Sequence, residues 1–184
     1  METGENNPII IQSDNFNIAL ANSYHLSIQL GISHFSYCLL NTTTFTYDYA
    51  KIYTLSSIDD NASEITEIIN NDTIIKSEFL SESVAFVNFP STLVPSLLYK
   101  KEEKEAILAF NTEVKGKILA DTILSQKAHL IYSVPESILT IVSNFFHKAK
   151  QKAQESMLIQ QYSQFNNNTE KAYLYLNQKK VIIT

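Results

Sequence analysis

The residues best placed for chemistry lie in one turn, where Gly31 and Ser33 come just before His34. The turn separates two stretches in which apolar and polar residues alternate, which predicts a tight connection between two strands. From this position His34 could contact an anion, although a surface histidine without a partner is the preferred interpretation. Gly31 is one of three glycines in the chain. Its preferred interpretation is a turn residue that needs a positive φ.

The other reactive side chains lack the spacing typical of a metal or catalytic site. His25, His129 and His147 do not stand at zinc-ligand spacing from Cys38 or from a carboxylate. Cys38 lies within a predicted strand, which favours a buried small side chain over a nucleophile. The sequence therefore predicts no catalytic residue and no metal site.

Two further groups have both a functional and a structural interpretation. Glu113 and Asp121 are candidate acids for a metal or base role, but neither has an obvious partner, so a loop or capping role is preferred. Tyr47, Tyr49 and Tyr53 stand at alternate positions and could form an aromatic surface for a partner. Core packing of the third strand is the preferred interpretation of these tyrosines.

The composition excludes several classes of protein. The 184 residues carry a net charge of −5, and all 14 basic residues are lysines. Arginine is the preferred clamp for phosphates and guanine edges, so its absence argues against nucleic-acid binding, although an AT-rich genome would also deplete arginine. The single cysteine favours a reducing cytoplasm. No apolar run approaches the roughly 18 residues of a membrane span, and residues 1–13 do not have the basic segment and long apolar stretch expected of a secretory signal.

The first part of the chain predicts a polar arm followed by an antiparallel meander. Residues 1–21 are polar apart from a short patch of isoleucines, and we expect them to be loose or to lie on the surface. Period-two patterns then predict strands at Tyr24–Leu30 and Phe35–Leu40. A third predicted strand, Thr44–Tyr53, would place Phe45, Tyr47 and Tyr49 on one face.

Helices and strands are then predicted to alternate. Ser57 and Asp60 form a capping box for the first helix, and the later helices are expected to bury Phe110, Phe145 and Phe165, among others. The remaining predicted elements are a buried strand Ser83–Asn88, a break at Pro90 and Pro95, a helix Lys100–Phe110, an extended segment Ile118–Leu124, a buried strand His129–Val134, a helix after Pro135, an edge strand Lys148–Lys152 and a helix Gln154–Phe165.

The order of these elements resembles one lobe of the actin-like ATPase, or ribonuclease H-like, fold, an α/β fold with a mixed sheet. The sequence is similar to an uncharacterised bacterial family of unknown function with that fold. The matching stretches are Leu26–Gly31, Phe35–Cys38, Phe110–Val114, Asp121 and Ile131–Pro135. The resemblance implies a lobe over 22–165, a linker over 166–171 and, over 172–184, a hairpin that opens an incomplete second lobe.

The resemblance also implies a degenerate phosphate loop. In active actin-like ATPases the first strand ends with Asp-x-Gly, whose aspartate helps to hold magnesium while the turn binds phosphates. Here Gln29 stands at the aspartate position, and a neutral amide does not supply that charge. Gly31, Ser33 and His34 would then be vestigial cofactor-binding residues, with no ATP or magnesium as cofactor.

Two hypotheses from different classes follow from these observations. The leading one is a non-catalytic actin-like module, a scaffold or interaction protein that binds a protein partner or itself through exposed strand edges. The alternative is a weak ATP-binding protein or ATPase that uses only backbone contacts, and a nuclease comes third. We expect a cytoplasmic protein that neither binds nucleic acid nor inserts into membranes.

Overall fold

The computed structural model describes residues 7–56 and 61–165, together with the backbone of 174–176 and 181–183. The strands are β1 (Ile9–Gln12), β2 (Tyr24–Gly31), β3 (His34–Asn41), β4 (Thr46–Thr54), β5 (Ser81–Val87), β6 (Ser91–Pro95), β7 (Lys117–Ile123), β8 (Ala128–Val134), β9 (Lys150–Ala153), β10 (Leu174–Leu176) and β11 (Val181–Ile183). The α-helices are α1 (Asn61–Asn71), α2 (Lys104–Ala109), α3 (Glu136–Phe145) and α4 (Gln154–Tyr162). The predicted capping box at Ser57 and Asp60 lies outside the described residues.

The chain divides into two compact units. The first consists of Met1–Val87 with Glu136–Gln151, and the second consists of Asn88–Pro135 with Lys152–Thr184. The division predicted from the sequence, into 1–21, 22–165, 166–171 and 172–184, stays a prediction.

A six-stranded mixed sheet in the order β1-β4-β3-β2-β5-β9 organises the first unit. The pairs β2–β3 and β3–β4 are antiparallel, which confirms the predicted meander, and β2 pairs with β5 in parallel. This strand order confirms the predicted mixed α/β class. Part of the N-terminal arm is also ordered here, because β1 pairs with β4 along its whole length.

The alternation of apolar and polar residues on the β2–β3 hairpin determines which of its side chains enter the core of the first unit. Leu26, Ile28 and Leu30 on β2 are all buried, whereas the residues between them are more exposed. Helix α1 contributes Ile65 and Ile69 to this core, and α3 contributes Ile138 and Val142. Phe146 is buried in place of the predicted Phe145, which is half-buried.

A β-bulge changes the face of β4. Leu39 pairs with Tyr49 but Leu40 pairs with Tyr47, so Asp48 is an extra residue on β4. Because one extra residue reverses the alternation, Asp48 is buried while Tyr47 is 68% exposed. Phe45 is 79% exposed and lies in the turn before β4, with a φ of 57°. The prediction that Phe45 and Tyr47 share a face with Tyr49 is therefore wrong. The predicted core packing of the tyrosines is confirmed for Tyr49 and Tyr53 and wrong for Tyr47.

The second unit contains a three-stranded antiparallel sheet in the order β6-β8-β7. The expected break between Pro90 and Pro95 is the strand β6, and the buried strand at His129–Val134 is confirmed as the centre of this sheet. Strand β9 lies at the edge of the six-stranded sheet, which confirms the edge strand predicted at Lys148–Lys152.

Helix α2 has one fully buried residue, Leu108. Leu108 forms a cluster with Val94 on β6 and Ile131 on β8. Phe110 follows the last residue of this six-residue helix and is 90% exposed, so its predicted burial is wrong. Phe165, also predicted to face inward, is mostly exposed. Strands β10 and β11 pair in an antiparallel manner, which confirms the C-terminal hairpin, whereas the predicted linker lies outside the described residues.

Candidate functional site

The residues predicted to bind phosphate lie together at the tip of the β2–β3 hairpin. Gly31 ends β2, His34 begins β3, and Ile32 and Ser33 connect the two strands. Gly31 is buried, and its φ is not positive; among the described glycines only Gly116 has a positive φ. The prediction of a positive φ at Gly31 is therefore wrong.

The ring of His34 occupies the space that a side chain at position 31 would enter. A Cβ at Gly31 would lie 2.8 Å from Cε1 and 3.0 Å from Nδ1 of His34. His34 is half-buried and interacts within the chain, so the prediction of a partner-free surface histidine is also wrong. The structure thus places the ring of His34 against the glycine at the tip.

Hydrogen bonds from two other elements hold the tip in place. The side-chain amide of Asn61, the first residue of α1, donates to the carbonyl oxygens of Gly31 at 3.5 Å and Ile32 at 3.3 Å. The backbone N–H of Leu55, just after β4, donates to the carbonyl oxygen of Ser33 at 3.0 Å. These hydrogen bonds therefore hold the turn in place through the carbonyl oxygens of Gly31, Ile32 and Ser33.

An acidic side chain lies close to this support. Glu64, in the first turn of α1, accepts hydrogen bonds from the backbone N–H of Ser56 at 2.9 Å and from its hydroxyl at 3.0 Å. Ser56 directly follows Leu55, which binds the turn. A negative charge here disfavours the approach of a phosphate group.

Gln29 occupies the position that the resemblance assigns to a magnesium-binding aspartate. Its side chain is exposed on β2, and its Oε1 accepts a hydrogen bond from the Ser36 hydroxyl at 3.4 Å. Within the described part of the chain, no group of three or more His, Cys, Asp or Glu side chains could hold a metal ion. Because magnesium prefers charged oxygen ligands, the residues at the tip do not fit it.

A buried cluster of polar side chains surrounds Asp72 in the first unit, and the sequence did not predict this cluster. Its Oδ2 accepts hydrogen bonds from the hydroxyls of Tyr37 at 2.7 Å and Tyr53 at 2.9 Å, and from Nζ of Lys51 at 2.9 Å. Its Oδ1 accepts from the backbone N–H of Ile74 at 2.9 Å. Asp72 directly follows α1, so this one carboxylate joins the end of the helix to β3 and β4.

The ionisation of this cluster follows from its contacts. Burial raises the pKa of Asp72, but the hydrogen bonds from Lys51, Tyr37 and Tyr53 outweigh it and hold the pKa below its usual range. Burial and the neighbouring carboxylate raise the pKa of Tyr37. A cavity of about 340 Å³ adjoins Lys51 and Asp72. Since both oxygens of Asp72 already have donors, the cluster has the geometry of a structural ion pair.

Asp48, the bulge residue, forms a second buried carboxylate site. It accepts hydrogen bonds from Thr46 at 2.9 Å, Tyr24 at 3.1 Å, Asn41 at 3.2 Å and Ser13 at 3.4 Å. Burial raises its pKa, but these hydrogen bonds outweigh burial and lower the pKa below its ordinary value. The carboxylate thus fixes the bulge.

His25 and Cys38 show no arrangement for nucleophilic catalysis. The two ring nitrogens of His25 are hydrogen-bonded to the hydroxyls of Ser81 at 2.7 Å and Ser83 at 2.9 Å. Burial and then the charge of Lys150 lower the pKa of His25, and burial raises the pKa of the half-buried Cys38 thiol. A raised pKa keeps the thiol protonated, which disfavours a nucleophilic role.

In the second unit the two candidate acids have structural contacts. Asp121 accepts a hydrogen bond at 2.8 Å from the backbone N–H of Ala153, the residue before α4, and another at 3.2 Å from the Tyr132 hydroxyl. Glu113 is exposed and lies 3.2 Å from Lys115. These contacts agree with the preferred loop and capping roles.

A groove of about 610 Å³ lies between α1 and α3 in the first unit. Polar and apolar side chains line it, including Thr66, Asn144, Ile141 and Phe145, and among the described residues of its lining Glu67 is the one ionisable residue. A single carboxylate among these described residues does not form an acid–base pair. None of the described helices combines the length and the apolar character that a membrane crossing requires.

Comparison with known proteins agrees with this geometry. A crystal structure from Bacteroides thetaiotaomicron, described as a protein with actin-like ATPase fold and unknown function, matches with a TM-score of 0.79 and 15% sequence identity. The match covers 91% of this chain and 67% of that chain, and it shows that this chain has the actin-like ATPase fold. No curated protein matches significantly. A family model matches residues 13–184, and the chain therefore belongs to the family described as Protein of unknown function (DUF3822).

Proposed function

We propose that the protein is a non-catalytic actin-like module that acts as a scaffold or interaction protein. The observation that carries the proposal is Gln29, a neutral and exposed side chain at the position where a phosphate loop needs a carboxylate for magnesium. The carboxylate of Glu64 near the same turn adds to the argument, because it opposes a bound phosphate.

Exposed apolar side chains support an interaction role. Leu97 and Leu98 follow β6, and Leu124 follows β7; all three are more than half exposed. Pro95 at the end of β6 and Ile123 at the end of β7 both pair with Ala128 on β8. The three leucines therefore lie at the same end of the three-stranded sheet. A protein partner would remove such side chains from water. The proposed partner is a protein, with no nucleic acid or membrane involved and a cytoplasmic location.

Thermal unfolding with magnesium and ATP tests the non-catalytic part of the proposal. A ligand present at 100 times its dissociation constant adds about 2.7 kcal/mol to the free energy of unfolding. For a chain of this size that corresponds to a rise of roughly 5–11 °C in the midpoint. We expect no rise for the native chain at millimolar nucleotide.

Two variants of residue 29 serve as a matched pair. Gln29→Asp supplies the missing charge, and Gln29→Asn keeps a neutral amide of the same size as aspartate. A magnesium-dependent rise in the aspartate variant alone would tie the lost affinity to the lost charge. A magnesium-dependent rise in the native chain would overturn the proposal and establish the alternative, an ATP-binding protein that uses backbone contacts.

A further inference from the structure

We propose that β1 pairs with β1 of a second copy of this chain, so that two six-stranded sheets join edge to edge across a two-fold axis. The inference deepens the proposed interaction role and rests on it. The outer edge of the sheet carries the argument: β1 is the terminal strand in the order of the sheet, so no described strand pairs with its other side.

The backbone register shows which groups face outward. The N–H of Ser13 donates to the carbonyl oxygen of Asp48 on β4 at 2.8 Å, continuing the register in which Ile11 lies opposite Ala50. Backbone groups point to alternate sides along a strand. The N–H and C=O groups of Ile9 and Ile11 therefore face β4, and those of Ile10 and Gln12 face away from the sheet.

The outward-facing N–H and C=O groups of β1 can form hydrogen bonds with the same groups on β1 of a second copy of the chain. In an antiparallel pair related by a two-fold axis, Ile10 lies opposite Gln12 of the partner subunit, and Ile11 lies on the axis. This register forms four hydrogen bonds from strand residues alone, two at each Ile10–Gln12 pair. Pro8 has no N–H, so the ladder cannot continue beyond β1 at that end.

The side chains of β1 lack the features that protect most edge strands. Ile9, Ile10 and Ile11 are 63%, 51% and 63% exposed, and the strand holds no charge, proline or bulge. Ile9 and Ile11 share a face with the partly exposed Ile52, which pairs with Ile9. Because β1 is uncharged, two copies meet there without like-charge contacts although each chain carries a net charge of −5. An identical strand therefore fits this edge in both backbone and charge.

The symmetry of this contact limits the size of the assembly. The same edge is used by both copies, so a two-fold pair closes on itself and leaves no second β1 edge for a third copy. Strand addition through a short edge buries little surface, and we expect a weak dimer rather than a fibre.

Sedimentation velocity over roughly 10 µM to 1 mM tests the proposal, because weak dimers form within that range. We expect the mass to rise from 20.9 kDa towards twice that value. In Ile10→Pro the outward N–H is removed while the bonds to β4 remain, since proline is tolerated on an edge strand where its nitrogen faces solvent. We expect this variant and Ile11→Lys to stay monomeric and to keep the native melting midpoint.

The matched control is Phe110→Lys, which removes an exposed aromatic side chain from the second unit and should leave the dimer intact. A native chain that remains monomeric at about 1 mM would overturn the proposal. A dimer that survives in both Ile10→Pro and Ile11→Lys would also overturn it. Nucleotide binding is measured separately, so failure of the proposed non-catalytic function and failure of the dimer give different results.

Discussion

Replacing Asp72 by asparagine tests whether the buried cluster stabilises the first unit. The substitution keeps the shape of the side chain but leaves Lys51 without its counter-charge. Breaking one side of a buried ion pair costs about 3–5 kcal/mol. The Lys51 side chain is 16% exposed and the Asp72 side chain 3%. Because Lys51 keeps some contact with water, we expect the lower end, a loss of about 3 kcal/mol.

Urea unfolding followed by circular dichroism measures this loss, and a thermal midpoint lower by roughly 6–12 °C should accompany it. The pKa of Asp72 is depressed in the folded chain, so its carboxylate contributes stability above its unfolded pKa and loses that contribution as the pH falls through its folded value. The difference between native chain and variant should therefore be constant from about pH 5 to 8 and shrink below about pH 4.

Two further variants separate the ion pair from a general effect of lost charge. Glu113→Gln removes an exposed acid whose ion pair with Lys115 is open to solvent, and we expect a change below about 0.5 kcal/mol. Adding Lys51→Met to Asp72→Asn removes the unpaired charge and should recover at least about 1 kcal/mol. A loss below about 1 kcal/mol in Asp72→Asn, or no change in that loss with pH, would refute the reasoning.

Three substitutions and one chemical reaction give independent checks. Gly116 has φ +92° and a Cβ there would lie 2.3 Å from the Val134 carbonyl oxygen, so Gly116→Ala should cost more than about 2 kcal/mol in urea unfolding, whereas Gly31→Ala should cost less. Asp48→Asn should cost about 2 kcal/mol by the same measurement, because it weakens the acceptor for the buried Tyr24 hydroxyl and for the partly buried Thr46 hydroxyl. Burial raises the pKa of the Cys38 thiol, so its reaction with a disulfide reagent at neutral pH should be slower than that of free cysteine and should speed up in urea.

Local patterns predicted the first hairpin because its burial follows strict alternation. Every second residue from Tyr24 to Leu30 is buried, so a period of two identified both the strand and its inner face. The same reasoning failed on β4, where a single extra residue at Asp48 reversed the alternation. Nothing in the local sequence distinguishes a bulged strand from a regular one when aromatic residues occupy both faces.

The second sheet could not be assigned from pattern alone. The stretch His129–Val134 is apolar and buried, as a strand of the main sheet would be, yet it lies between β6 and β7. A strand's sequence records how deeply it is buried but not which strands pair with it. The edge position in the main sheet belongs to Lys150–Ala153, a short and mostly polar strand.

The candidate site was predicted in part. The sequence brought Gly31, Ser33 and His34 to one turn correctly, because neighbours in sequence need no long-range information. The sequence explained Gly31 by a positive φ, whereas in the structure the ring of His34 lies against this glycine. Asp72 was not among the candidate residues, because its partners Lys51 and Tyr37 are distant in the chain.

The insertion of the three-stranded sheet between β5 and β9 has a consequence for the order of folding. Strands β6, β7 and β8 and helix α2 follow one another within Asn88–Pro135, so their contacts close shorter loops than the pairing of β5 with β9 does. The main sheet instead requires β9, at Lys150, to reach back to β5, which ends at Val87. Loop closure costs more entropy as the loop lengthens. We expect the inserted sheet to form first and to shorten the flexible path that β9 must close, so that the last strand of the first sheet depends on the earlier folding of the second.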